Sequence, residues 1–457
     1  MNFVFTLLSW ATLMAADLPS PAAPPPPAEK PTAPPSGPSL TLAQAEQNAL
    51  RRQPSIRQAN GQTEAAAGRV EEARAGYLPQ VTASGLYERT TGNYAPRPGA
   101  LPASAMTAIT MTTTPAPSWT TTYNTWSFGL TGSQLIYDFN ATADRWRSAA
   151  VSRDAADSNT QGVTLQALLA VRRAYFQARA QRDLRRVAEE AVANQQKHLD
   201  QIQAFVKAGM RSEIDLATAR TALANARVQM VTAENAEFSA LAVLNQAMGL
   251  PENQPFELTD SALPPINGED ATSRDLTEQA LRARPEIALA NQQRRAQELQ
   301  AASLRGNYGP SIAAAASLTG VGKSPDNLTP NWFVGLNATW AILQGGLTTG
   351  QVREANGTLA ALSAQAEAVR LQVIVDVEQG RLAVRAAKSS IDGAEEALSN
   401  AREQLRLAEG RYRTGQGSVI ELADAQVAYT TAEAQEVSAR YSLASARAQL
   451  LAALGVR

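Results

Sequence analysis

The sequence lacks cysteine entirely and has a single histidine, and both shortages exclude classes of chemistry. Without cysteine, the chain has no disulfides, no thiolate zinc sites and no cysteine for N-terminal lipidation. The histidine, His198, lies in a helical stretch beside Lys197 and Asp200, and we interpret it as a solvated or packing residue. The usual catalytic triads and soft-metal sites are missing, as are Walker and dinucleotide-binding motifs. We expect a protein that is not an enzyme and binds no cofactor or metal.

Aromatic residues, excess positive charge and long apolar runs are also scarce. Aromatic side chains make up 5% of the chain, and 41 Lys and Arg balance 42 Asp and Glu, for a net charge of −1. This balance offers no electrostatic footprint for nucleic acid. Beyond the N-terminus, no stretch of about 20 residues is apolar enough for a membrane-spanning helix. The long tracts of Ala, Gln, Arg, Glu and Leu are instead typical of coiled coils and long helices.

The N-terminal segment predicts export. Residues 1–16 form an apolar run that ends in small residues, as a secretory signal peptide does, and a disordered apolar tail is the alternative. Residues 17–38 contain ten prolines and predict an extended, disordered linker.

An internal repeat is the strongest organisational signal. Residues 49–56 match 280–287 at an offset of 231 residues, whereas 207–216 match 413–422 at an offset of 206. The smaller second offset locates an insertion in the first repeat, within the Thr- and Pro-rich loop 90–125. The chain is therefore a duplicated unit.

The repeat divides the chain into repeat 1 (39–249), a Pro-containing joining segment (250–271) and repeat 2 (272–457). Each unit reads helix, strand, loop, strand, very long helix, tip and long helix. From about 347 to 412 the chain has no proline and keeps a heptad-like apolar seam, which predicts a helix about 100 Å long. The seam is rich in alanine, so neighbouring helices can pack closely.

Four segments alternate strictly between apolar and small polar residues. The segments around Tyr87, Trp126 and Trp332 are examples, and Trp340 ends the last of them. Alternation over nine or ten residues with aromatics near the ends fits transmembrane barrel strands, with those aromatics at the membrane interfaces. The alternative is two amphipathic hairpins packed on a soluble core.

A membrane interpretation of the strands has a consequence for assembly. An open sheet edge in hydrocarbon leaves backbone groups unpaired, so a lipid-embedded sheet must close. The smallest membrane barrels have about eight strands, and this chain supplies four. We therefore expect the barrel to be shared between several copies of the chain.

These features together resemble the TolC family of outer-membrane efflux channels. The resemblance covers about residues 39–456 and includes Ala-Leu-x-x-x-Pro-x-Ile near each unit's start, Tyr-x-Pro before the first strand and tips of the form Gly-x-x-Ser-x-x-Asp/Glu-Leu. It implies a mostly α fold with a small transmembrane β part, in a homotrimer. Long helical hairpins would form an α-barrel in the periplasm, and four strands per chain would contribute to a shared 12-stranded β-barrel in the outer membrane. The segment 250–271 resembles part of the family's equatorial collar.

The resemblance also assigns a periplasmic gate. Glu421 and Asp424 match two acidic residues that narrow the family's entrance, Tyr412 matches a tyrosine that helps to hold it closed, and Asp215 matches an acidic partner on the other tip. Independently of the family, carboxylates three residues apart share one face of a helix's first turn, where the helix dipole favours them. Repeated around an axis, they would attract cations. Ordinary acidic helix starts remain the alternative.

One position departs from the family pattern. A basic residue that some members carry in the second tip is Gly417 here, and Arg211 stands at the equivalent place in the first tip. We expect Arg211, together with Tyr412, to hold the entrance closed.

The tip turns themselves match the surface on which a periplasmic adaptor docks in this family. A glycine required by the turn is an equally good interpretation, and the two are compatible. The tip residues assigned to docking are Gly209, Gly415, Ser212 and Ser418.

The resemblance implies an outer-membrane exit duct for a tripartite efflux or type I secretion system. Its partners would be a periplasmic adaptor (membrane fusion protein), an inner-membrane pump of the RND, ABC or MFS type, and the outer-membrane lipid bilayer. The sequence does not distinguish drug efflux from protein secretion. The alternative from another class is a periplasmic coiled-coil adaptor or scaffold protein.

Overall fold

A computed structural model describes residues 37–91, 120, 122–252, 254–260, 262–266 and 268–456. The expected signal peptide, and most of the expected linker and of the loop 90–125, lie outside these residues. The helices of the described chain are α1 (Leu42–Arg52), α2 (Pro54–Ala75), α3 (Ala141–Lys207), α4 (Glu213–Met248), α5 (Ser273–Ala283), α6 (Pro285–Gly306), α7 (Leu347–Arg413) and α8 (Val419–Ala453). Its strands are β1 (Ser39–Leu40), β2 (Gln80–Thr91), β3 (Thr122–Tyr137), β4 (Glu257–Leu258), β5 (Ser311–Ser324) and β6 (Asn327–Thr339).

The two halves repeat one element order, but each begins with two helices where the sequence predicts one. Pro54 and Pro285 occupy the first positions of α2 and α6. The residues before them, Gln53 and Arg284, are extended, with ψ of 122° and 127°. Proline has no N–H to continue a helix and pushes the preceding residue out of the helical region. The Ala-Leu-x-x-x-Pro-x-Ile motif therefore encodes a helix break.

The four long strands form one antiparallel sheet in the order β2-β3-β5-β6. Its register pairs Tyr87 with Trp126, Leu130 with Leu318, and Leu318 with Trp332. Because alternate side chains share a face, most of the apolar residues of the four strands lie on one side of the sheet. That face is solvent-exposed within the single chain, and Trp332 is 78% exposed. Strands β2 and β6 are the two edges.

Two helices of 67 residues, α3 and α7, carry the chain away from the sheet. At 1.5 Å per residue each is about 100 Å long, as the proline-free sequence predicts. They start shortly after β3 and β6, and α4 and α8 return from their far ends. The sheet and the two hairpin tips are therefore at opposite ends of the molecule. None of the helices in the described part of the chain is long and apolar enough to cross a membrane.

The buried core is divided along the helices. Two alanine-rich clusters lie at mid-height, one around Tyr175 and Met248 and one around Val377 and Leu450. A third cluster, which contains Ile202, lies close to the tips and joins the two hairpins through α3, α4, α7 and α8. The tips are thus packed locally and separately from the middle.

The joining segment 250–271 is held at mid-height by specific polar contacts. Its strand β4 pairs in parallel with β1. Glu269, buried at 7% exposure, accepts hydrogen bonds from the Arg447 guanidinium at 2.9 Å, and Lys388 lies 2.8 Å away. These two cations, Arg447 foremost, overcome the effect of burial and lower the pKa of Glu269 to about 2. The family's collar role for this segment stays a prediction.

Candidate functional site: the two hairpin tips

Both tips stop the outgoing helix with the same hydrogen-bond pattern. At the first, the N–H of Met210 donates to the carbonyl of Phe205 at 2.9 Å and that of Gly209 donates to Val206 at 3.0 Å. This is a Schellman motif, which needs a left-handed residue after the helix. Gly209 has φ of +73°, and Gly415 has φ of +79° in the same pattern at the second tip. The turn thus requires glycine at both positions.

The serine and the acidic residue of each tip start the returning helix. Ser418 is the N-cap of α8, and its hydroxyl accepts the N–H of Glu421 at 3.0 Å. Ser212 caps α4 in the same way and accepts the N–H of Asp215 at 3.4 Å. A carboxylate at this third position is also favoured by the helix dipole. The repeated motif is therefore explained as a helix stop followed by a helix start, which leaves further roles open.

The acidic pair of the second tip is only partly neutralised. Glu421 is half-buried and Asp424 is exposed, three residues apart on the first turns of α8. Arg411, at the end of α7, places its Nη1 atom 3.0 Å from Oε1 of Glu421. No ion pair involving Asp424 is found among the described residues. Each chain therefore presents one compensated and one uncompensated carboxylate at this tip.

Tyr412 is the centre of the contact between the two hairpins. Its side chain is 4% exposed, and the guanidinium carbon of Arg211 lies 4.7 Å from the ring centroid. On α3, the ring of His198 packs against it with centroids 5.6 Å apart and planes at 62°. The structure thus brings together Arg211 and Tyr412, the two residues paired from the sequence. A role for that pair in closure stays a prediction.

The hydroxyl of Tyr412 has no hydrogen-bond partner among the described residues, although the oxygen is buried. Burial raises the pKa of this hydroxyl; nearby Arg211 opposes the rise and Asp215 adds to it. Tyr412 consequently holds its place through ring packing and a cation–π contact.

Gly417 fits closely against the preceding turn. A Cβ atom there would lie 2.9 Å from the backbone nitrogen of Tyr412 and 3.1 Å from the carbonyl carbon of Arg411. Its own N–H donates to the Arg411 carbonyl at 2.9 Å. A basic side chain at this position would require the turn to change.

The aromatic residues assigned to membrane interfaces lie on the sheet or at its end. The rings of Tyr87 and Trp126 pack with centroids 4.5 Å apart, and Trp332 is on β6. Trp340 directly follows β6, and its indole N–H donates to the carbonyl of Tyr308 at 3.0 Å. The geometry therefore places aromatics at two levels along the sheet.

The tips offer charge, close packing and a turn surface rather than catalytic groups. No group of three or more His, Asp or Glu suited to a metal ion occurs in the part of the chain that the structure describes. A family model described as "Outer membrane efflux protein" matches residues 45–250 and 276–456. The chain belongs to this family.

Solved outer-membrane channels share the fold of this efflux-family chain. The Campylobacter jejuni CmeC outer membrane channel is 18% identical, with 91% of this chain and 85% of that chain covered and a TM-score of 0.78. The outer membrane protein VceC of Vibrio cholerae is 16% identical, with 91% and 96% covered and a TM-score of 0.78. The open state of the Neisseria gonorrhoeae MtrE channel is 20% identical, with 91% and 89% covered and a TM-score of 0.72.

At these identities the likeness establishes the fold, which is the mostly helical channel fold expected from the sequence. Among curated proteins compared by sequence, none matches the chain.

Two residues at the tips of this efflux protein were not found from the sequence. Arg411, which pairs with Glu421, lies in a stretch with many other arginines, and only the folded turn brings it to the acidic residue. His198 was interpreted as solvated or packing, and the structure shows that it packs, against Tyr412.

Proposed function

We propose that this protein is the outer-membrane exit duct of a tripartite efflux or type I secretion system. Three copies form a passive channel, and the hairpin tips gate its periplasmic entrance. The strands lie in the outer membrane and the helices extend into the periplasm. An inner-membrane pump of the RND, ABC or MFS type supplies the energy through a periplasmic adaptor.

One observation carries the proposal: an exposed, continuous apolar sheet face lies at one end of helices about 100 Å long, and charged tips lie at the other. The strands have 12 to 16 residues, more than the nine to eleven that span a bilayer. The edges β2 and β6 pair on one side only within the chain. Hydrocarbon does not tolerate such edges, so joining β6 of one copy to β2 of the next supports a closed barrel of twelve strands.

The aromatic positions agree with this membrane placement. Trp332 and Trp340 are eight residues apart, which is about 26 Å along an extended chain at roughly 3.3 Å per residue and about 20 Å in height for a strand tilted by about 40°. The apolar band of membrane barrels is about 25 Å tall and is flanked by aromatic girdles. We assign Trp340 to the periplasmic interface, because it adjoins the start of α7, and Trp126 with Tyr87 and Trp332 to the outer half of the band.

The gate proposal rests on charge and packing at the tips. Copies of Glu421 and Asp424 around a threefold axis would concentrate negative charge at the entrance and attract cations. Tyr412, packed under Arg211 and near Asp215, ties the second hairpin to the first. Separation of that contact would open the entrance.

The docking proposal uses the same turns. Gly209, Gly415, Ser212 and Ser418 are exposed at the extreme end of the molecule, where an adaptor hairpin would meet them end to end. The glycine N–H groups are used within the turns and the serine hydroxyls accept the cap N–H groups, so the serine O–H groups remain as donors for a docking partner.

Planar-bilayer recording of the purified protein tests the proposed function. Replacement of Glu421 and Asp424 together by alanine should weaken cation block and reduce cation selectivity. The control is Glu403→Ala. Glu403 is an exposed acidic residue on α7, where it pairs with Arg406 of the same helix. Unchanged selectivity in the double variant would contradict the gate. A protein that is extracted from membranes by carbonate and forms no heat-modifiable oligomer would contradict the channel itself and favour the adaptor alternative.

A further inference from the structure

The single histidine of the chain is buried at the contact between the two hairpins. His198 lies on α3 with 7% exposure, and its ring packs against the ring of Tyr412. The residues directly around it on the core side, Leu199 and Ile202, are buried and apolar. Burial lowers the pKa of His198, so this arrangement with the two hairpins in contact, which we take as the closed tip, favours the neutral imidazole.

Among the described residues, none of the charged groups near this site forms an ion pair with His198. A cavity of about 330 Å³ between α3, α7 and α8 adjoins the ring. It is lined by Lys197 from α3, by Glu409 and Arg413 from α7 and by the phenol Tyr429 from α8. Arg211 lies over the ring of Tyr412. Asp215, on α4, is close enough to raise the pKa of the Tyr412 hydroxyl.

The charged groups near the histidine and Tyr412 are therefore three cations and two carboxylates, and they come from α3, α4, α7 and the turn of the first tip. Lys197, Arg413 and Glu409 are exposed, and Arg211 and Asp215 are half-buried, so water screens the charges of both signs. A proton on His198 would be a buried charge, and no carboxylate forms an ion pair with His198 among the described residues. Its ordinary pKa of about 6.5 makes this the one side chain at the contact that changes charge between neutral and mildly acidic pH.

We propose that His198 positions Tyr412 while it is neutral, and that its protonation separates Tyr412 from α3 and opens the periplasmic entrance in acid. This inference rests on the proposed channel function. The closed tip buries the ring, and an open tip would expose it to water, where a proton binds more easily. A ligand that prefers one state shifts the equilibrium toward it, and here the ligand is the proton. Because three copies meet at one entrance, opening should rise more steeply with falling pH than a single-site titration.

The sign of the effect follows from the direction of the pKa shift. In the closed state the pKa of His198 lies below its ordinary value, so the closed state binds fewer protons than the open state between the two values. Closure is therefore fully favoured above about pH 6.5 and is lost as the pH falls through the closed-state pKa.

Conductance recorded at pH 7.5 and at pH 5 tests the inference. The wild-type channel should be more often open at pH 5, and His198→Phe, which keeps a ring but cannot be protonated, should abolish most of that increase. The control is Glu403→Gln, which should keep the wild-type response. Channel opening in acid that is undiminished in His198→Phe would overturn the inference.

A second measurement keeps the test independent of the variant's folding. Because His198 is the only histidine, NMR of the histidine-labelled wild-type trimer reports a single imidazole titration. A pKa below the ordinary value in the closed channel, which returns toward that value in an opened Tyr412→Ala variant, is expected; an ordinary pKa in the closed channel would overturn the inference. If substitution of Glu421 and Asp424 changes the cation selectivity but the open probability of the wild-type channel does not change with pH, this inference alone fails. A protein that forms no channel contradicts the proposed function.

Discussion

Replacement of Tyr412 by phenylalanine and by alanine separates two explanations of a closed tip. The hydroxyl oxygen of Tyr412 is buried and has no partner among the described residues, whereas the ring contacts both Arg211 and His198. If the ring closes the tip, Tyr412→Phe should leave the entrance closed and Tyr412→Ala should open it. If a hydroxyl hydrogen bond closes the tip, both variants should open it.

The expected magnitudes follow from burial. Removal of a buried aromatic ring costs about 3 kcal/mol or more. If opening exposes the whole ring, this corresponds to a factor of about 150 in the closed-to-open ratio of one protomer, at 1.4 kcal/mol per tenfold change. Loss of the Arg211 cation–π contact should cost about 1 kcal/mol, or roughly fivefold. Removal of the unpartnered hydroxyl spares its desolvation and should be neutral or should favour closure.

Single-channel recording at neutral pH measures these ratios directly. The expected order of open probability is Tyr412→Ala, then Arg211→Ala, then wild type together with Tyr412→Phe. The control is Tyr429→Phe, a neighbouring tyrosine on α8 that lines the same cavity. An open probability of Tyr412→Phe as high as that of Tyr412→Ala would refute the reasoning, because the hydroxyl would then be the group that holds the tip.

Two further predictions concern charge. Arg411→Gln should leave tip stability within about 1 kcal/mol, because the pair with Glu421 is exposed, but should tighten multivalent-cation block about fivefold; unchanged block would show that Glu421 does not face the entrance. Glu269→Gln should lower the melting temperature of the helical circular-dichroism signal at neutral pH, since the shift of the Glu269 pKa from 4.5 to about 2 corresponds to about 3 kcal/mol. In the wild type this contribution is present above about pH 4.5 and lost as pH falls toward 2; an identical acid transition in the variant would contradict it.

Much of the fold was predictable because its signals are local and repeated. The two-residue alternation predicts which face of each strand is apolar. The register confirms that Tyr87, Trp126 and Trp332 lie on the same face of the sheet. The absence of proline from about 347 to 412 predicted a helix that ends at Arg413. The duplicated Gly-x-x-Ser-x-x-acidic motif predicted both tips and the left-handed glycines. In each case the physical cause lies within a few residues of the signal.

The tip contacts were less predictable because they join distant segments. The packing of His198 on Tyr412 joins residues 214 positions apart in the sequence. The apolar seam of 347–412 predicts that Tyr412 faces a neighbouring helix, but not which ring it meets. Arg411 is close to Glu421 in sequence, yet only the hydrogen bonds of the turn decide that its guanidinium, among several nearby, reaches the carboxylate. The extra helix break, by contrast, has a local cause, the proline that stops one helix and starts the next.

The exchange of a basic residue for Gly417 is coupled to the rest of the second tip. The turn holds the N–H of Gly417 on the Arg411 carbonyl and leaves no room for a Cβ beside the Tyr412 backbone. This compact turn places Arg411 beside Glu421, while the cation over the Tyr412 ring comes from Arg211 on the first tip. Both Glu421 and the Tyr412 ring therefore have a cation beside them, although position 417 supplies neither. Restoration of a basic side chain at position 417 alone would displace the backbone that carries Tyr412, so it should weaken the contact between the hairpins instead of reinforcing it.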